Sequence, residues 1–340
     1  MQNKKKNYKV SVVCPFYNEE SIIEKATINM FENLTNDFGN DFELILVDDG
    51  STDNSREIII DKVKSKKVKN NLKIIGYQAN KGRGRALKTG IEFSNSDFIV
   101  TTEIDCSWGE HISKELVDVL TNNENIDFVI ASPHKKGGKL VNVSLWRSFL
   151  TIYGNKLINL FFDNKITMNT GMTRGYRKHV IQPLITYENG KEFHLEVLLK
   201  LSILGFVCDE IPAILTWQDH KFQKLNVKKR KSSTSIYNTI ASHLKFMVFA
   251  RPVRQFSILS GLSFILGLIF SGMALYSYFI TLDTSVYYLI VGLVMIVISL
   301  LFSGFALLFG QIRDILRDNW SRSYKSNQPP SIKRGKVLFP

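Results

Sequence analysis

The chain has 340 residues, with 44 Lys and Arg against 31 Asp and Glu and a formal net charge of +13. Its 44% hydrophobic and 22% charged content excludes a disordered or fibrous chain, and three scattered cysteines (Cys14, Cys106, Cys208) exclude a disulfide framework or a zinc knuckle. A length of this order allows one large domain or two smaller ones, and free cysteines suit a reducing cytosol.

Lys4, Lys5 and Lys6 open the chain without an apolar run behind them, so no signal peptide is expected. From residue 8 to 132, short β-rich runs alternate with helical patterns. Strands are predicted at Val10–Cys14, Phe42–Val47, Leu72–Tyr77, Asp97–Thr102 and Asp127–Ala131. Helices are predicted near Glu19–Leu34, Asp53–Lys66, Gly84–Phe93 and Gly109–Leu120. This alternation predicts an α/β fold, a mainly parallel sheet flanked by helices and joined by right-handed crossovers. Ligands of such sheets bind beyond the carboxyl ends of the strands.

The chemistry-bearing residues stand there. Pro15-Phe16-Tyr17-Asn18-Glu19 follows the first strand, Asp48-Asp49-Gly50-Ser51-Thr52-Asp53 the second, and Glu103-Ile104-Asp105-Cys106-Ser107 the fourth. Ser51 or Thr52 is a candidate helix cap, with Asp53 suited to the helix dipole. Paired acids such as Asp48 and Asp49 on a buried strand end are unfavourable unless a ligand or cation compensates them. Glu103 and Asp105, two apart in a turn, can approach one hard cation, Mg2+ or Mn2+, which takes one or two carboxylates plus phosphates and water. Asn80-Lys81-Gly82-Arg83-Gly84-Arg85 lacks the third glycine of a dinucleotide loop, yet a basic turn entering a helix can receive a phosphate.

Farther on, Trp146–Phe162 reads either as an interfacial amphipathic stretch or as a helix packed on the sheet. Residues 221–254 hold nine Lys and Arg and no acid, including KKRK at 228–231, a juxtamembrane patch for anionic membrane lipids or a merely solvated loop. Gln255–Leu282 and Thr284–Ile312 are two uncharged runs, each long enough to cross a bilayer and joined by a short link. They predict a transmembrane hairpin with helices at about 256–280 and 286–309. Arg251, Arg254, Arg313 and Arg317 flank the hairpin, and only Asp283 lies in the connection. The positive-inside rule then places both termini and the sheet domain on the cytoplasmic side. The expected organisation is an α/β sheet domain over 1–220, a basic segment over 221–254, the hairpin over 255–312 and a basic tail over 313–340. Residues 10–220 carry more acid than base. Nucleic-acid binding therefore falls away.

VSVVCPFYNEE, ELILVDDGSTDNS, NKGRGRALKTG and VTTEIDCSW, in this order and spacing, resemble family 2 glycosyltransferases of the GT-A nucleotide-sugar fold. TGMTRGYRKHVI and EFHLEVLLKLSILGFVCDEIPAIL are similar to the polyprenyl-phosphate branch typified by dolichyl-phosphate mannose synthase. The resemblance covers roughly residues 8–225. It implies that Pro15, Tyr17 and Glu19 hold the nucleotide base, with Val47 and Asp49 at base and ribose. Glu103, Ile104 and Asp105 match the Asp-x-Asp that binds metal and donor diphosphate; Glu stands for the first Asp, so Asp105 is the surer ligand. Lys81 belongs to the basic turn, and Arg174 and Arg177 match a basic motif expected after the sheet. His220 stands where the branch has Arg, and Lys224-Leu225 end a departed Ser-Lys-Leu.

The implied reaction is metal-dependent, inverting transfer of a sugar from a GDP- or UDP-sugar to a polyprenyl phosphate, undecaprenyl or dolichyl. A phosphate monoester is an anionic nucleophile without a strong base, so the main task is to stabilise the leaving diphosphate, with Lys224, Arg174 or Arg177 adding charge. A hydroxyl acceptor, the alternative, needs a carboxylate base, and Glu196, with Glu192 four residues before it, is the candidate. The plain reading of these acids is surface pairing with Lys200. His194 is expected on a helix face rather than on a metal. A non-catalytic membrane adaptor is the third class, for which Glu103 is the only hint.

Overall fold

The computed structural model describes residues 9–63, 71–143, 166–216, 252–282 and 285–326. The chain divides into two compact units, Met1–Phe246 and Met247–Pro340. In the first, β1 (Val10–Phe16) and β2 (Phe42–Asp48) are buried along their whole length. Their runs VSVVCPF and FELILVD suit parallel strands covered on both faces. With β3 (Leu72–Gly76), β4 (Phe98–Thr101), β5 (Phe128–Ser132), β7 (Arg174–Arg177) and β8 (Cys208–Pro212) they form one seven-stranded sheet in the order β3-β2-β1-β4-β7-β5-β8. A small second sheet pairs β6 (Lys139–Val141) with β9 (Ile214–Thr216).

The helices are α1 (Ile23–Phe38), α2 (Ser55–Ile58) with a π-helical turn at Ile59–Val63, α3 (Arg83–Glu92), α4 (Ile112–Asn122), α5 (Lys178–Ile181) and α6 (Phe193–Leu204). α3 lies flat on the sheet because Gly90 has no side chain: a Cβ there would stand 2.2 Å from Val13 Cγ1. The GT-A-type expectation of a mainly parallel sheet flanked by helices is met, with two differences.

First, β7 is antiparallel to both β4 and β5, pairing Thr101 with Arg174 and Phe98 with Arg177. Gly175 admits it beneath α4, since a Cβ there would lie 3.1 Å from Leu116 Cβ. Second, neither Ser51 nor Thr52 caps the following helix. Ser51 Oγ instead accepts from Asn18 N at 3.1 Å, and Asp53 Oδ1 accepts from Ser55 N at 3.1 Å.

The second unit is a pair of apolar helices, α7 (Pro252–Thr281) and α8 (Val286–Ser326). Contacts between Phe256 and Phe305, Ser260 and Ser299, Gly267 and Gly292, and Phe270 and Tyr288 run in opposite chain directions, so the helices are antiparallel. At 1.5 Å per residue each exceeds the roughly 30 Å hydrocarbon core. Their outer faces display Leu262, Ile269, Phe279, Leu300 and Leu307 to the surroundings, which a soluble core helix would bury. Such a pair is built for a bilayer. α8 continues beyond its apolar part through Arg313 and Arg317 to Ser326, so the basic tail expected from 313 begins as helix. Trp146–Phe162 and the basic stretch Lys221–Lys231 lie outside the described residues.

Candidate active site

The loops after β1, β2, β3 and β4 meet at the carboxyl edge of the sheet, because parallel strands send their exits to the same side. The first two are stitched together. Asn18, at φ 54, accepts from Thr52 N through Oδ1 at 2.8 Å, and Glu19 N donates to Ser55 Oγ at 2.9 Å. Gly50, at φ 73, lets the second loop touch the third: its Cβ would sit 2.3 Å from the Ala79 carbonyl carbon.

The two buried acids there are satisfied by the protein itself, which corrects the expectation that a ligand or cation must compensate them. Asp48 Oδ2 accepts from Arg56 Nε at 2.6 Å and pairs with its guanidinium, while Oδ1 accepts from Ser51 N at 2.8 Å. Asp49 Oδ1 accepts the backbone amides of Lys81 and Gly82 at 3.0 and 3.1 Å, and Oδ2 accepts Asn80 Nδ2 at 3.1 Å. Burial raises the Asp49 carboxyl above the usual range, and the Lys81 and Gly82 amides only partly oppose it. Asp49 thus organises the turn carrying Lys81, whose Nζ lies 5.0 Å from the Tyr77 ring centre.

Tyr17 is 38% exposed at this edge. Pro15, Val47 and Ile104 are buried, and Val47 Cγ2 packs toward Gly90 of α3. Any contact by Val47 with a base would therefore come from its backbone, not its side chain.

The turn after β4 presents its acids differently. Glu103 Oε2 accepts from Ser107 Oγ at 3.0 Å and Trp108 Nε1 at 2.9 Å, and Asp105 Oδ1 accepts from Ser107 N at 3.1 Å. Cys106 turns the chain between them at φ 54. Its thiol is raised to about 11 by burial and by Asp105 and Glu110, which removes it as a nucleophile at neutral pH. Among the described residues no group of three or more His, Cys, Asp or Glu could hold a metal. Two hard carboxylate oxygens, Glu103 Oε1 and Asp105 Oδ2, accept no hydrogen bond among the described residues and fit Mg2+ or Mn2+ completed by phosphates and water.

The remaining predicted residues divide. Arg174 is fully buried in β7 and gives its guanidinium to three carbonyls, Gly171 at 2.8 Å, His194 at 2.9 Å and Asn169 at 2.6 Å. That corrects its assignment to the donor phosphates: every arm is taken by backbone. Arg177 is corrected by position. It pairs with Phe98 at the start of β4, the opposite edge of the sheet, and donates to the carbonyls of Ile126, Leu120 and Asn123. There it caps the end of α4.

Glu196 forms the expected pair with Lys200, but from a buried position rather than the helix surface, and its carboxylate is engaged instead of open to a substrate as a base would be. It is buried in α6 and accepts from Tyr187 N at 2.9 Å, Glu188 N at 2.8 Å and Lys200 Nζ at 2.7 Å. Burial alone would raise its carboxyl, yet Lys200 and the two amides outweigh it and leave it below the usual range. His194 lies on α6 as expected, on a wholly buried face, and neither ring nitrogen has a hydrogen-bond partner among the described residues. His220 and Lys224 lie outside the described residues.

Three contributors went unassigned in the sequence. Ser107 and Trp108 aim Glu103, and their signal was their place directly after the acidic turn. Arg83 Nη1 reaches to 3.8 Å from Glu103 Oε1.

Comparison with known proteins places these loops in context. The model of the family described as "Glycosyl transferase family 2" matches residues 11–184. An undecaprenyl-phosphate 4-deoxy-4-formamido-L-arabinose transferase of Photorhabdus laumondii is 31% identical over 186 residues, covering 52% of this chain and 51% of its own. The transferase of the same name from Shewanella sediminis is 28% identical, over 52% of this chain and 50% of its own. The chain thus spans about half the length of the curated relatives it matches. Mannosyl-3-phosphoglycerate synthase from Rubrobacter xylanophilus shares the fold, with a TM-score of 0.50 and 15% identity over 73% of this chain and 74% of that one.

Proposed function

Because the chain belongs to glycosyl transferase family 2, we propose that it transfers a sugar from a nucleotide donor to a polyprenyl phosphate at a membrane face. The observation that carries the reading is the Glu103-Ile104-Asp105 turn, open at the sheet edge where three other loops converge. The names of the two undecaprenyl-phosphate transferases support the acceptor class. The two apolar helices support a membrane-bound acceptor. Glu196, the base that a hydroxyl acceptor would need, is engaged by two amides and a lysine, which favours an acceptor that is already an anion.

In this reading Tyr17 and Glu19 contact the base, and Asp49 positions the turn that meets the ribose side of the donor. Asp105 and Glu103 hold Mg2+ or Mn2+. That cation, when bound, supplies Lewis-acid stabilisation of the leaving diphosphate. Direct attack by the acceptor phosphate oxygen breaks the anomeric carbon–oxygen bond to the diphosphate and inverts the centre. Lys224 and His220 remain proposed diphosphate contacts. The basic flanks of the hairpin favour a cytoplasmic sheet domain and cytoplasmic termini.

The test is transfer of labelled sugar from a panel of UDP- and GDP-sugars to undecaprenyl or dolichyl phosphate by the full chain with Mg2+ or Mn2+. Label on the lipid phosphate is expected. Label appearing only on hydroxyl acceptors, or nowhere across the panel, overturns the reading.

A further inference from the structure

We propose that Arg83 is a positioning residue that occupies the cation-binding oxygen of Glu103 in the ligand-free protein and moves to the donor diphosphate when metal and nucleotide arrive. The inference rests on the nucleotide-donor reading above and adds to it a residue and an exchange.

Arg83 is the first residue of α3 and follows Gly82 at φ 98. The backbone beneath it is fixed. A Cβ on Gly82 would meet Asn189 O at 2.5 Å, one on Gly84 would meet Gly190 O at 2.6 Å, and Arg85 N donates to Asn189 O at 3.1 Å. From this anchored turn the guanidinium reaches Glu103, with Nη1 and Oε1 3.8 Å apart. Glu103 Oε2 is already committed to Ser107 and Trp108. Oε1 is therefore the oxygen a metal ion would take, and the oxygen Arg83 faces. Two cations cannot share it without repulsion.

The pair is also built for exchange. The Arg83 and Glu103 side chains are 41% and 33% exposed, and so open an ion pair is weak and easily replaced. A displaced guanidinium needs an anion, and its planar fork matches the paired oxygens of a diphosphate. Arg83 stands at a helix N-terminus, where phosphate is favoured. Arg174, the arginine that the sequence pattern offered for this role, is sealed in the core.

The exchange predicts effects of opposite sign from one substitution, Arg83→Gln, in the detergent-solubilised full chain. Binding of Mn2+ alone, read from the electron paramagnetic resonance of the free ion, should tighten about threefold, the scale of losing one weak exposed competitor. Binding of UDP or GDP in saturating Mn2+, read by calorimetry, should weaken about tenfold, the scale of one charge-assisted contact. Arg83→Lys, which keeps the charge and loses the fork, should restore part of the nucleotide affinity, and an unchanged unfolding midpoint excludes misfolding as the cause. Unchanged Mn2+ affinity, or shifts of the same sign in both measurements, overturns the exchange while leaving the proposed function standing. Wild-type protein that binds neither Mn2+ nor nucleotide overturns both.

Discussion

Arg174 Nη1 donates to the main-chain carbonyl of His194 at 2.9 Å, tying β7 to the first turn of α6. With Nε on Gly171 and Nη2 on Asn169, this guanidinium is a structural rivet rather than a phosphate ligand. Arg174→Met would leave three buried carbonyls without their donor and is expected to destabilise the protein by about 3 kcal/mol or more. Chemical denaturation in detergent reads that loss directly. A variant of normal stability that instead binds UDP or GDP more weakly would return Arg174 to the donor site.

His194 gives the fold a pH dependence. Its imidazole is held well below the usual histidine range by burial first, then by the neighbouring cations Arg174 and Arg83. Above the unfolded value of about 6.5 neither state binds a proton there, and stability is at its full value. As pH falls below that, the unfolded chain takes a proton that the native state refuses. Stability then drops by up to about 1.4 kcal/mol per pH unit. His134, also lowered by burial, adds to the slope with the same sign. His194→Phe should therefore flatten the profile between about pH 6.5 and 5 relative to wild type. Parallel profiles would show that another group carries it.

The legible parts of this chain were those fixed by local pattern. Continuous apolar runs placed β1 to β5, and their exits marked the edge where Tyr17, Asp49, Glu103 and Asp105 now stand. What stayed hidden depends on partners distant in sequence. Arg-Gly-Tyr-Arg does not read as a buried strand, because its arginines are tolerated only through carbonyls supplied by Asn169, Gly171, His194 and the end of α4. Asp48 read as an acid in need of an outside cation because Arg56, eight residues on, comes back to it only once α2 has formed. Glu196 paired with Lys200 as helical spacing predicts, but the two strap amides that bury it come from the loop before α6.

That loop supplies a separate test. Glu196 binds the amides of Tyr187 and Glu188, and Lys200 Nζ adds a bond to the Ile185 carbonyl at 2.9 Å. In Glu196→Gln these two amides should lose hydrogen-exchange protection by about tenfold or more, since the charged acceptor that closes the strap is gone. Sugar transfer should fall by less than that. A general base would contribute about 100-fold or more, so a loss of this size with the strap still protected would restore the catalytic role.

Among the described residues Asp105 accepts one hydrogen bond, from Ser107 N, which leaves Oδ2 to meet a cation. Asp105→Asn should lower sugar transfer at least about 100-fold, the scale of removing preorganised charge from a leaving group. The unfolding midpoint should not move, because asparagine retains an acceptor for the Ser107 amide. Transfer at wild-type rate in Mn2+ would remove Asp105 from the metal site.

The hairpin closes where two glycines face each other. A Cβ on Gly267 would lie 2.7 Å from Ile296 Cγ1 and 3.1 Å from Gly292 O, whereas one on Gly261 meets nothing within 4 Å. Without a hydrophobic drive between helices in lipid, such close approach is what lets them associate. Ser260 and Ser299, with Oγ atoms 3.2 Å apart, report it: a Ser260→Cys, Ser299→Cys pair should form a disulfide on mild oxidation. Adding Gly267→Val should force the helices apart and suppress that bond, while adding Gly261→Val should leave it intact. Equal cross-linking in both would mean that the glycine contact does not set the helix spacing.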